Sequence, residues 1–344
     1  MSTVDVIVPC YNYARFLEEC VESVLSQSHG DLRVLIINDA SPDNTDEVAQ
    51  ELLRRDSRVQ YLRHPVNRGH IATYNEGLEW ATGEYTLLIS ADDMLTPGSL
   101  ARSVQLMDAH PEVVLTYGKS IVIEGGRTVS KREEIDGEES LVVSGTEFIK
   151  AACERGETGL CAPTIVVRTR VQQRIGGYFA DLPHSGDTEM WLRFAAHGPI
   201  GFIRVPQAYY RFHASNMFRD FADARNIREQ HAAFERFFES SGGRLPNVDE
   251  LRDLARHRIA EWAFWSAYNA FDRHETEACR SFLELAIAYD PRVKTWRSHR
   301  RLRLKLLLGS RWWSRLQALS RPAAAWEGNG VYRPSCLEPL VVES

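Results

Sequence analysis

Two carboxylates stand side by side in Ser90-Ala91-Asp92-Asp93, directly after the apolar run 85–89. Hard divalent cations prefer carboxylate oxygens, and Mg²⁺ or Mn²⁺ commonly joins one or two protein carboxylates to substrate phosphates. The pair therefore points to a metal-held diphosphate, with Asp92 and Asp93 as candidate ligands. An Asp-Asp pair ahead of a helix also caps free N–H groups, so the pair alone leaves both readings open. A second acidic group, Asp187 with Glu189, opens an amphipathic segment carrying Met190, Trp191 and Phe194. A carboxylate at a helix N-terminus is favoured by the helix dipole, whether it caps the helix or reacts. The two commonest phosphate-cradling glycine fingerprints, Gly-x-Gly-x-x-Gly and Gly-x-x-x-x-Gly-Lys-Ser/Thr, are missing. The six cysteines show neither a Cys-x-x-Cys pair nor His/Cys metal spacing, which argues against a disulfide scaffold and a structural zinc site.

The elements that must position these groups are legible from periodicity. Residues 4–9 and 32–37 are short apolar runs rich in β-branched side chains, and residues 14–27 between them put Phe16, Leu17, Cys20, Val21, Val24 and Leu25 at helical spacing. The alternation continues with a helix over 45–55, a strand over 59–62, a helix over 70–81 and a strand over 85–89. That order predicts an α/β fold with a mostly parallel sheet flanked by helices. Ligands of such sheets bind beyond the carboxyl ends of the strands, where this chain places residues 10–12, 38–41, 63–69 and 90–93. A middle region, 112–213, alternates strand-like pieces (113–117, 165–167, 201–205) with short helices, one around 146–153, and is interrupted by a charged loop at 131–140. Beyond Ser215 the pattern turns helical, over 226–240, 248–269 and 275–289, and reads as a helical C-terminal extension.

Four segments taken in order, Val6-Ile7-Val8-Pro9-Cys10-Tyr11-Asn12, Ile36-Ile37-Asn38-Asp39-Ala40-Ser41-Pro42-Asp43-Asn44-Thr45, Asn67-Arg68-Gly69 with Asn75 and Gly77, and Ser90-Ala91-Asp92-Asp93-Met94-Leu95-Thr96-Pro97, closely resemble family 2 glycosyltransferases of the GT-A fold. The resemblance is strong over about residues 3–120, weaker to about 215 and absent beyond. It implies a GT-A domain over 1–215, with a nucleotide-sugar half to about 120 and an acceptor half over about 121–215, then the extension over 216–326 and a loosely ordered tail over 327–344. It further implies donor-nucleotide contacts for Pro9, Tyr11, Asn12, Asp39, Arg68 and Asp92, although by residue type alone Tyr11 also reads as a half-buried aromatic, Asp39 as a turn former and Arg68 as an exposed structural residue. Asp92 and Asp93 fall on the family's metal motif, with Ser90 where many relatives carry the first Asp; which of the two ligates the metal stays open. His213 matches a histidine near the metal or diphosphate and is a tentative third ligand, and Asp187 matches the catalytic base, with Gly186 in place of the usual Glu and Glu189 as a backup.

The activity so implied is an inverting, metal-dependent transfer of a sugar from a nucleotide-sugar, most commonly a UDP-sugar in this family, to a hydroxyl of a saccharide or lipid-linked acceptor, in surface polysaccharide or glycolipid synthesis. The metal is Mn²⁺ or Mg²⁺. Ser90 and Gly186 keep a different reading alive, a degenerate nucleotide-sugar-binding protein without catalysis. A nucleotidyltransferase would need a glycine-rich basic loop that the sequence lacks.

Composition excludes other classes. With 44% hydrophobic and 26% charged residues the chain matches ordinary globular proteins rather than disordered or fibrous ones. No run approaches the ~20 apolar residues of a spanning helix, and the N-terminal strand carries Asp5 and no basic leader, so a cytoplasmic location is expected. The net charge of −6 hides an asymmetry, because residues 291–326 hold ten Lys and Arg and no acid, interleaved with Trp and Leu. That basic amphipathic segment predicts peripheral attachment to an anionic membrane surface, and no nucleic-acid partner is expected.

Overall fold

The computed structural model describes residues 2–129, 140–216 and 224–309. Its centre is β1 (Val4–Cys10), every residue of which is buried. The period of two sorts this strand between two cores. Val4, Val6 and Val8, with Val34 and Ile36 of β2 (Leu32–Asn38), join one core with α1 (Ala14–Leu25) and α2 (Thr45–Arg55). Ile7, Leu35 and Ile37 face the other, which includes Leu78 of α3 (His70–Trp80). Gly77 lets α3 lie close on the sheet: a Cβ there would stand 2.3 Å from Ile7 Cγ2. The buried Asp5 carboxylate takes two hydrogen bonds from Arg33 (2.6 and 2.8 Å) and the N–H groups of Thr82 and Gly83 (both 2.7 Å), which fixes the turn into β4 (Tyr85–Leu88).

β3 (Val59–Arg63), β2, β1 and β4 run parallel in that order, as the alternation predicts. From there the sheet is mixed. β9 (Val166–Arg168) is antiparallel to both β4 and β6 (Leu115–Glu124), β6 and β10 (Ile200–Phe212) are parallel, and β5 (Met94–Leu95) runs antiparallel along β10. The parallel expectation thus holds for β1 to β4, whereas the rest of the sheet is mixed, because hydrophobic runs mark strands without marking their direction. Short β7 (Arg127–Thr128) and β8 (Ser140–Val143) pair with β6 and β10.

The connecting helices are α4 (Ser99–Ala109), α5 (Gly145–Arg155), α6 (Thr169–Ile175) and α7 (Gly186–Ala195). After them come α8 (Ala224–Ser241), α9 (Val248–Asp272), α10 (Thr276–Tyr289) and α11 (Arg297–Leu308). α8 packs on α7, and α9 packs on α5 and α8. Phe148, Ile149 and Leu192 therefore share one core with Phe234, Phe237, Ile259 and Phe264. Most of the charged loop expected at 131–140, residues 310–326 of the basic segment and the tail at 327–344 lie outside the described residues. Among the described residues no helix is long and apolar enough to cross a membrane.

Candidate active site

The loops after β1, β2 and β4 open on one cleft of about 630 Å³, whose lining includes Pro9, Tyr11, Asn12, Asp39, Asp92, Asp93 and Asp187. The first two loops are strapped together. Asn12 sits in the left-handed region (φ 61°) with its N–H on Ser41 Oγ at 2.8 Å, and Ser41 N–H donates to the buried Asn38 Oδ1 at 2.8 Å. Tyr11 is left 44% exposed at the mouth. Asp39 is buried and fully engaged on one side: it accepts from His64 Nδ1 (2.6 Å), Arg68 N–H (2.7 Å) and Gly69 N–H (2.9 Å). Burial pushes its carboxyl up, but these hydrogen bonds outweigh that and hold it below the ordinary carboxylate range. The Arg68 side chain turns to Glu76 at 2.6 Å and is not among the groups lining the cleft.

β10 pins the acidic pair. Arg211 donates its N–H to Asp93 Oδ1 and its Nε to the Asp92 carbonyl, both at 2.9 Å. His213 accepts the Ser215 N–H on Nδ1 at 3.2 Å, so its Nε2 carries the proton that faces Asp92 Oδ2 at 3.0 Å. Both ring nitrogens are thereby used, and the ring stacks on Phe16 with centroids 5.2 Å apart. His213, expected as a tentative third metal ligand, thus sits directly against Asp92 and holds its Oδ2. Asp92 Oδ1 is buried with no hydrogen-bond partner among the described residues. A buried carboxylate oxygen without a partner is costly, and a cation bound there would relieve it. No group of three His, Cys, Asp or Glu side chains among the described residues is set to hold a metal by itself. One carboxylate completed by substrate phosphates still fits Mg²⁺ or Mn²⁺.

Across the cleft, α7 presents Asp187 at its first turn. Burial pushes this carboxyl up to about 6, against the Tyr178 hydroxyl and His70, which pull it down. Tyr178 is locked by Asn75, whose side-chain amide accepts the Tyr178 N–H at 2.7 Å and donates to its carbonyl at 2.9 Å. Tyr74 meets Tyr178 edge-on with centroids 5.6 Å apart. At position 186 a Cβ would meet Tyr178 Cδ1 at 3.3 Å, so glycine suits a site where the tyrosine ring lies close. Glu189 does not reach the cleft: it is 0% exposed and bound to Arg193 Nε at 2.7 Å, and Arg193 in turn donates to the carbonyls of Ile175 and Gly177. That removes it as a backup base. The loop ahead of α7 is held from α8, where Glu229 Oε2 accepts the N–H groups of His184 (2.9 Å) and Ser185 (3.4 Å).

Sequence reasoning missed His64, Tyr74, Tyr178 and Glu229. Tyr178 stands in Gly176-Gly177-Tyr178-Phe179, where a Cβ at Gly177 would stand 2.3 Å from Asn75 Oδ1, whereas nothing local distinguishes Glu229 from other acids on its helix.

Residues 5–171 match the family model described as Glycosyl transferase family 2. Glycosyltransferase GlyG of Streptococcus pneumoniae serotype 4 is 34% identical over 149 residues, covering 42% of this chain and 45% of GlyG. The chain spans between 28% and 72% of the length of the first curated relatives it matches. Among solved structures, S. aureus TarS in complex with UDP-GlcNAc superposes with a TM-score of 0.63 at 17% identity, over 85% of this chain and 83% of that one. Mannosyltransferase PcManGT from Pyrobaculum calidifontis in complex with GDP-Man and Mn²⁺ superposes at 0.54 with 17% identity, over 92% and 87%. Those likenesses carry the fold, and the family match covers the strand-end loops on one side of the cleft: residues 5–171 belong to glycosyl transferase family 2, on a GT-A fold.

Proposed function

We propose that the protein is an inverting glycosyltransferase that moves a sugar from a nucleoside-diphosphate sugar to an acceptor hydroxyl. One observation carries this: a single cleft joins the strand-end loops to a carboxyl, Asp187, raised to about 6. A general base works best with a pKa close to the working pH, and burial moves Asp187 toward it. Asp187 takes the proton of the acceptor hydroxyl, the hydroxyl oxygen attacks the anomeric carbon from the face opposite the diphosphate, and the carbon–oxygen bond to the diphosphate breaks. One displacement inverts the centre and needs no covalent intermediate, unlike the two-step route of retaining glycosidases.

On the donor side, Pro9, Tyr11, Asn12 and Asp39 line the pocket for the nucleoside, and a UDP-sugar is supported by the UDP-GlcNAc in the TarS structure. Asp92 would hold a divalent metal, Mn²⁺ or Mg²⁺, through its partnerless Oδ1, with Asp93 fixed beside it by Arg211. When bound, such an ion neutralises charge on the leaving diphosphate. On the acceptor side Tyr74, Tyr178 and Trp191 border Asp187, which suits a saccharide ring, free or lipid-linked. The exposed arginines of α11 support work at the cytoplasmic face of an anionic membrane.

The first test is thermal stabilisation by UDP, GDP, dTDP and CMP, each with and without Mn²⁺, since a ligand of the native state raises apparent stability by mass action. Mn²⁺-dependent stabilisation by one nucleoside diphosphate is expected and fixes the donors to be screened for nucleotide release. A flat response to all of them would overturn the reading.

A further inference from the structure

His64 is a buried titratable group that the transfer chemistry leaves unused. It follows β3, is 3% exposed, and donates its N–H to the Asn38 carbonyl at 2.9 Å. Its Nδ1 lies 2.6 Å from Asp39 Oδ1 and its Nε2 lies 2.8 Å from Glu76 Oε2. Glu76 Oε2 also takes Arg68 Nη1 at 2.6 Å, and the Arg68 N–H returns to Asp39 Oδ1 at 2.7 Å. Asp39, His64, Glu76 and Arg68 thus form a closed ring of hydrogen bonds joining the end of β2 to the end of β3 and to α3.

An ionised carboxylate only accepts, with about two lone-pair sites on each oxygen. Because Asp39 is held in its ionised form, the nitrogen that faces it, His64 Nδ1, is the donor. Oδ1 is therefore saturated by His64 and the Arg68 N–H. Oδ2 takes the Gly69 N–H at 2.9 Å and keeps one site free. Asp39 lines the cleft, and among the described residues Oδ2 is the oxygen of that carboxylate left with an acceptor site.

We infer that His64 is a positioning residue for the donor nucleotide: by filling Asp39 Oδ1 it leaves a single oriented acceptor on Oδ2, which selects a base presenting a ring N–H. This rests on the reading that Asp39 faces the donor base. Uracil and guanine carry such an N–H. Cytosine carries an unprotonated nitrogen at the corresponding place, whose lone pair would face the carboxylate. The preference is then built into residues that never touch the sugar.

Calorimetric affinities for UDP, GDP and CDP in the presence of Mn²⁺ test it on the full chain. The wild-type protein is expected to bind the tighter of UDP and GDP at least roughly tenfold better than CDP, the size of one charge-assisted hydrogen bond. His64→Leu should lower that affinity roughly tenfold and narrow the ratio over CDP, while His64→Asn, whose amide nitrogen overlies imidazole Nδ1, should restore most of the ratio. Should the leucine variant fail to fold, Glu76→Ala, which frees only Nε2, is expected to narrow the ratio partially. A ratio unchanged in His64→Leu, or in Glu76→Ala where that variant stands in, overturns the role of His64 and leaves the donor site intact. A wild-type protein that binds CDP as tightly as UDP and GDP instead overturns the contact of Asp39 with the base.

Discussion

Asp187 makes the site testable at the scale of one carboxyl. Asp187→Asn keeps the shape of the side chain and removes its basicity, so turnover should fall by about 10²–10⁴ while nucleotide affinity stays within about twofold. Steady-state rates beside calorimetry check this, and wild-type turnover would remove the assigned base. The pH sign follows from the raised pKa. The base acts as the carboxylate, so kcat/KM should be flat above pH 6 and fall about tenfold per unit below it, with the limb near the value of about 6 that burial gives Asp187. At Asp92, substitution by Asn should abolish the Mn²⁺-dependent part of nucleotide stabilisation. Asp93→Asn should retain more of it, because Asp93 Oδ1 already serves the Arg211 N–H. That Asp39, Asp92 and Asp187 meet at one cleft was legible in the sequence because their place after a strand or at a helix start is a local property. The contacts of Arg68, Glu189 and His213 were not, because their partners Glu76, Arg193 and Asp92 are set by the fold, and of these only Arg193 is a near neighbour whose helical spacing could have been read.

Among the elements, β1 to β4 and the helices between them matched the periodicity closely, since each strand buried on both faces reads as a continuous apolar run. The direction of β9 and the length of β10 were hidden. β10 shifts its register on β6 between Ile203 and Ala208, and the Pro206-Gln207 break after Val205 masks a strand that continues to Phe212, where it delivers Arg211 to the acidic pair and leads into His213. The step from α8 to α7 is also nonlocal, and it couples the C-terminal helices to the loop ahead of Asp187. Glu229→Ala frees two N–H groups of the loop ahead of Asp187. We expect a stability loss of about 1 kcal/mol and a fall in kcat of roughly fivefold to tenfold, with the KM for donor unchanged. A melting curve and initial rates decide it; a lower melting temperature with unaltered kcat would show that α8 only props the loop.

At the scale of the whole molecule, the boundary drawn at residue 215 separates a change in sequence pattern rather than two cores, because the aromatic side chains of α8 and α9 complete the core of α5 and α7. α11 closes that assembly asymmetrically. Leu302 and Lys305 turn inward, with the Lys305 ammonium 3.9 Å from the centre of the Tyr268 ring and 3.3 Å from Asp272 Oδ1. Arg297, Arg300, Arg301 and Arg303 are exposed on the same helix as Leu304, Leu307 and Leu308, which are 59%, 81% and 48% exposed. Exposed leucines beside unburied arginines match a surface that is anionic outside and apolar just beneath, and each basic group near such a surface contributes about 1 kcal/mol. The full chain should therefore float with vesicles rich in phosphatidylglycerol and not with purely zwitterionic ones. About 0.5 M salt should release most of it, because the electrostatic reach shrinks well below 10 Å. Changing Leu304, Leu307 and Leu308 together to Ser should weaken binding without altering nucleotide affinity, since none of the three lines the cleft. Binding that ignores salt and survives the serine changes would assign the attachment to some other surface, and no binding at either lipid composition would leave α11 a solvated helix.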